Sequence, residues 1–147
     1  MKNILVLTFL VASSAAHGAT CDLLSGQFKT TSECYVIHNG VRSSDGHREV
    51  RISYDENAQN LRVDFVSRNY WVNYVADGKE QIGRPQFEGD KYIATCQDNH
   101  AHIRAEFSAL MKPLIHTYTV NDEGKLSFKE AFEADTSFIR VCEMELF

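Results

Sequence analysis

The chain lacks the short signatures that mark common catalytic sites. Gly-x-Ser-x-Gly, His-Glu-x-x-His and Ser-x-x-Lys do not occur, and no glycine-rich loop is suited to cradling phosphate. Catalytic groups can still converge from distant positions, so an exported enzyme stands as the second reading of function. Clustered basic residues are also missing: 15 Lys and Arg are scattered among 20 Asp and Glu, a formal charge of −5. That balance argues against nucleic acid or an anionic membrane surface as a partner, because both reward concentrated positive charge. No Cys-x-x-Cys pair, zinc-ribbon spacing or Asn-x-Ser/Thr sequon occurs. The apolar run Ile4 to Ala12 would rise only about 14 Å as a helix, too short to span a bilayer core.

What that run does fit is export. Met1-Lys2-Asn3, the apolar run and the small residues Ser13 to Ala19 together read as a secretory signal peptide, with cleavage expected after Gly18. The expected products are a leader, 1–18, and one domain, 19–147, secreted or periplasmic. Lipidation at Cys21 is a competing possibility, although Gly18-Ala19-Thr20-Cys21 lacks the expected Leu and would leave three cysteines. Unmodified, Cys21, Cys34, Cys96 and Cys142 are an even set in an oxidising compartment and are expected to form two disulfides. Pairing of Cys21 with Cys34 and Cys96 with Cys142 is expected, with a Cys34–Cys142 bridge between the first and last strands as the competitor.

Beyond the leader no segment sustains a helical period, whereas alternation with period two recurs to the end of the chain. Val50, Ile52 and Tyr54 alternate with polar residues, a polar turn follows, and Leu61, Val63 and Phe65 alternate again, which predicts a hairpin. Tyr70 to Ala76 is apolar on both faces and runs into Asp77-Gly78, a dipeptide suited to a tight turn into a strand at Lys79 to Ile82. Gly83 to Asp90 reads as a loop. Further strands are expected at Tyr92 to Cys96, His100 to Phe107, Leu114 to Val120, Lys125 to Phe132 and Ser137 to Leu146. With Gln27 to His38 counted as one or two strands, about nine or ten fit an all-β, antiparallel up-and-down β-barrel. A two-sheet β-sandwich is the alternative.

Leu23-Leu24-Ser25-Gly26-Gln27-Phe28 resembles the first-strand Gly-x-Trp of lipocalins, with Phe for Trp. Arg140 on the last strand resembles the late basic residue that packs on that aromatic. The resemblance implies a calycin-type barrel and carries no ligand with it.

Two constellations have chemistry in reach. His100 and His102 project to one face of a strand and would suit a metal ion. Pairing of His116 near Ala105 puts the nearest third ligand about 10 Å away along the strand, and Arg104 and Glu106 share the face, so a solvated surface without metal or other cofactor is expected. Around the chain's only Trp, Tyr70, Trp71 and Tyr74 concentrate aromatic surface beyond what a half-buried strand needs. They are candidates for a ligand-binding wall, although core packing, for which a barrel of this size needs many aromatics, is the stronger reading. An integral outer-membrane barrel fits less well, because Glu143 and Glu145 would face lipid with Phe147. The functional expectation is non-catalytic binding of a small apolar ligand inside the barrel, or of an envelope or extracellular protein outside it.

Overall fold

The computed structural model describes residues 21–83 and 90–147. The leader assigned to 1–18 lies outside the described residues, as does most of the loop assigned to 83–90. The described chain forms a short 3₁₀ turn, Asp22–Leu24, and twelve antiparallel strands: β1 (Gly26–Thr30), β2 (Cys34–His38), β3 (Val41–Gly46), β4 (Glu49–Asp55), β5 (Asn60–Phe65), β6 (Tyr70–Val75), β7 (Asp77–Ile82), β8 (Lys91–Gln97), β9 (His100–Glu106), β10 (Leu114–Val120), β11 (Leu126–Phe132) and β12 (Phe138–Leu146). Ten of them run in the order β6-β5-β4-β1-β12-β11-β10-β9-β8-β7 and curl into a nearly closed barrel.

The alternation read from the sequence sets the registers. Val50 faces Phe65, Ile52 faces Val63 and Tyr54 faces Leu61 across the β4–β5 hairpin, so one apolar row from each strand turns inward. On the other wall, Ala101, Ile103 and Ala105 of β9 meet Tyr118, His116 and Leu114 of β10. His116 is thus two residues away from the position expected opposite Ala105, because the turn between β9 and β10 is centred between Ala109 and Leu110, one residue earlier than the one assumed.

The segment 27–38 breaks at Thr31 to Glu33 into two strands that lie end to end along β12: β1 pairs its C-terminal half, β2 its N-terminal half. The added partner of β2 is β3, whose sequence Val-Arg-Ser-Ser-Asp-Gly has no apolar alternation to announce it. Likewise Asp77-Gly78 has the expected turn chemistry, with Gly78 at φ +74°, yet β6 and β7 are not paired. Ala76 donates its N–H to Gln59 O at 2.7 Å and keeps the end of β6 on β5, while β7 joins β8 through a bulge between Asp77 and Glu80. The barrel therefore has a seam between two consecutive strands.

The expected cysteine pairing is also corrected. The bridges are Cys21–Cys96 and Cys34–Cys142. Cys34 lies on β2 beside β12, so the competing pairing of early and late strands holds, and Cys21 is carried to the end of β8 by the 3₁₀ turn. That turn plugs one end of the barrel: it contacts β4 and β10, and Leu24 and the preceding Cys21 are fully buried. Around the plug, Phe28, Ile52, Leu61, Tyr118, Leu126 and Met144 fill the interior, each contributing about 1.5–3 kcal/mol by burial. Half of the barrel is solid core.

Candidate functional site

The other half is hollow. A cavity of about 720 Å³ opens at the end where β6 and β10 begin and β5, β7 and β9 finish. Its apolar wall comes from inward positions of the alternating strands: Val50, Phe65, Tyr70, Val72, Tyr74, Tyr92, Ala105, Leu114, Phe128 and Met144. Phe65 stacks on Tyr70 with ring centroids 6.0 Å apart, and Tyr74 meets Tyr92 edge to face at 5.3 Å. The second pair spans the seam, where the Tyr92 hydroxyl also accepts the Val75 N–H at 3.0 Å.

One polar row crosses this wall. Across neighbouring strands, Ile103, His116, Glu130, Arg140 and Val36 stand in direct register. Arg140 binds Glu130 through Nη1 and Asp45 through Nε, the latter at 2.7 Å, and Arg48 reaches the same Asp45 oxygen at 2.6 Å. Glu130, Arg140, Asp45 and Arg48 therefore form a charge-alternating chain with no net charge. Burial pushes the Glu130 carboxyl up, partly offset by Arg140. Burial acts the same way on Asp45, but the hydrogen bonds and charges of Arg48 and Arg140 prevail and hold it below the usual range.

His116 belongs to this row without sharing its bonds. Its Nδ1 is 3.7 Å from Glu130 Oε2, too long for a hydrogen bond, and neither ring nitrogen has a hydrogen-bond partner among the described residues. Burial, then the charge of Arg140, lowers its pKa to about 4, so the imidazole is neutral near pH 7. It offers one donor and one acceptor. Below it the hydroxyl of Tyr118 is fully buried and also without a partner.

The sequence-derived site residues separate. Tyr70 and Tyr74 are inward positions of β6, opposite Phe65 and Leu61. Trp71 pairs with Asp64 on the outward alternation, is 54% exposed, and carries the Arg62 guanidinium 4.7 Å above its ring; it borders the cavity at the seam. His100 and His102 lie on the outer alternation of β9, opposite in face to His116, so the three do not converge. His100 Nδ1 instead shares a 2.9 Å hydrogen bond with Thr119 Oγ1, and Arg104 pairs with Glu106 and Glu133 on that solvated face. Arg140 does not pack on Phe28. Phe28 pairs with Leu146, about 20 Å along β12 from Arg140, and the guanidinium lies over the Phe138 ring instead.

The polar row was missed as a unit. Its visible signal was His116 at the centre of the alternation Leu114-His116-Tyr118-Val120, an imidazole on an otherwise inward face.

No protein-family model and no curated protein sequence matches the chain. Solved structures do. The fluorescent protein UnaG is similar at a TM-score of 0.56 with 13% identity, over 84% of this chain and 96% of that one. Secretory abundant heat soluble protein 4 from Ramazzottius varieornatus is similar at 0.58 with 9% identity, over 87% and 97%. At such identities the likeness establishes the fold alone, a nearly closed antiparallel β-barrel.

Proposed function

We propose that this protein is an exported, disulfide-stapled carrier that holds a small, largely apolar molecule in the open half of its barrel. The observation that carries this reading is the aromatic-lined cavity of about 720 Å³ above a solid core, a size within the usual range for small-molecule sites. Tyr70 and Tyr74 line the bound molecule on β6, and Trp71 marks the lip where the seam admits it. Placement of all four cysteines in bridges supports an oxidising compartment, secreted or periplasmic.

Native mass spectrometry of protein purified without detergent, together with titration of an apolar fluorescent probe, tests the proposal. Binding of one probe per chain, displaced by aliphatic competitors, is the expected result. A protein that arrives empty and binds neither probe nor competitor overturns it. The second reading, an envelope protein-interaction module, is favoured by one observation: apolar side chains are exposed around the open end, with Trp71 joined by Ile82, Leu110 and Met111.

A further inference from the structure

Resting on the carrier reading, we propose that the buried end of the cavity selects a ligand with an uncharged hydroxyl or amide head, held between His116 and Glu130, and discriminates against a carboxylate. Three observations carry this. First, His116 is 9% exposed, lines the cavity, and has hydrogen-bonding capacity on both ring nitrogens that no group among the described residues uses. Leaving such groups unpaired costs free energy that a polar ligand head in the cavity recovers. Second, His116 and Glu130 both line that space, and the Nδ1 of the one lies 3.7 Å from the Oε2 of the other. A hydroxyl or amide accepts from the imidazole N–H and donates to the carboxylate, so one neutral group satisfies both.

Third, the charges of the row are already spent on one another. Arg140 is engaged by Glu130 and Asp45, and Arg48 by Asp45. A carboxylate brought to His116 finds the Glu130 carboxylate beside it and no unengaged cation in the row. The remaining cation facing Glu130, Arg68, also lines the cavity but belongs to the exposed turn at its mouth rather than to the buried row. A neutral imidazole adds no positive charge, in keeping with the depressed pKa of His116.

The test compares decanol, decanamide and decanoate on the intact, oxidised protein near neutral pH, by displacement of the same apolar probe. Decanol and decanamide are expected to bind at least about tenfold more tightly than decanoate. In His116→Phe that preference should fall to within about twofold. In Glu130→Gln, decanoate should gain on decanol by about tenfold, because the repelling charge is gone. The second variant decides the question if the first fails to fold. Equal binding of the three ligands, or a preference for decanoate that disappears in Arg68→Ala, overturns the head-group assignment while leaving the carrier reading intact. Failure of all three to bind overturns both.

Discussion

The hydroxyl of Tyr92 and the backbone N–H of Val75 are hydrogen-bonded at 3.0 Å, so a side chain from β8 reaches over β7's position to hold β6. Elsewhere in the barrel neighbouring strands are joined by backbone ladders. At the seam β6 and β8 are connected by this bond and by the Tyr74–Tyr92 ring contact. Segments held by few backbone bonds open at lower free energy than the ladders around them. The seam is accordingly where the wall yields first, and it borders the cavity.

Tyr92→Phe should keep the ring contact and lose the bond, lowering stability by about 1 kcal/mol. Hydrogen exchange at the Val75 amide should accelerate much more than exchange on β10 or β11. Unchanged protection at Val75 would show that the seam is held by something else.

Peptide mapping of unreduced protein should recover Cys21–Cys96 and Cys34–Cys142. They close loops with sequence separations of 75 and 108 residues, for which chain entropy gives about 4–5 kcal/mol each. Denaturant titration of the Cys34→Ser, Cys142→Ser pair should show a loss of that order. A loss below about 1 kcal/mol would mean that the unfolded chain is compact without the bridge.

Acid should weaken the fold through His116. Its pKa falls from 6.5 to about 4 on folding, so between those values the unfolded chain binds a proton that the folded chain refuses. Stability from this group is complete above about pH 6.5 and declines by up to about 3 kcal/mol as pH falls toward 4. Glu130 works in the opposite sense: its raised pKa favours the folded state at low pH and is lost as pH rises through the folded value. The His116→Gln variant separates the two. Urea titrations from about pH 7 to about pH 4 should show a shallower acid decline in the variant than in the parent; equal slopes would mean that His116 is solvated.

Ala105 lines the cavity between Tyr92 and Leu114. A ring introduced there occupies ligand space, so Ala105→Phe should weaken probe binding at least about tenfold. The outer ion pairs of Arg104 should be unaffected, and native mass spectrometry should find the variant folded and empty. Undiminished binding would move the ligand to another surface.

The barrel was legible where apolar and polar residues alternate, as in the β4–β5 hairpin and in Leu114 to Val120, because burial on one face imposes a period of two. It was not legible where an edge strand has no apolar face, as in β3. At Asp77-Gly78 the local chemistry specifies a bend and nothing more; whether the flanking strands pair depends on Ala76 bonding to Gln59, a tertiary fact. The apolar excess of β6 was correctly seen, but Trp71 belongs to the outward row, where Arg62 covers it. The polar row shows the same limit. His116 could be placed on an inward face from its neighbours alone, whereas its meeting with Glu130 and Arg140 depends on the register of two hairpins, in one of which a two-residue error displaces it.

The two bridges interleave along the chain: the span from Cys21 to Cys96 overlaps the span from Cys34 to Cys142, and neither joins consecutive cysteines. A polypeptide delivered N-terminus first exposes Cys21 and Cys34 together while both of their proper partners are still to come. An oxidant acting in order of emergence links those two, and the product cannot be completed by simple addition of a second bond. Native protein is then reached by thiol–disulfide exchange after β12 arrives, which makes its yield dependent on an isomerase more than on oxidising power.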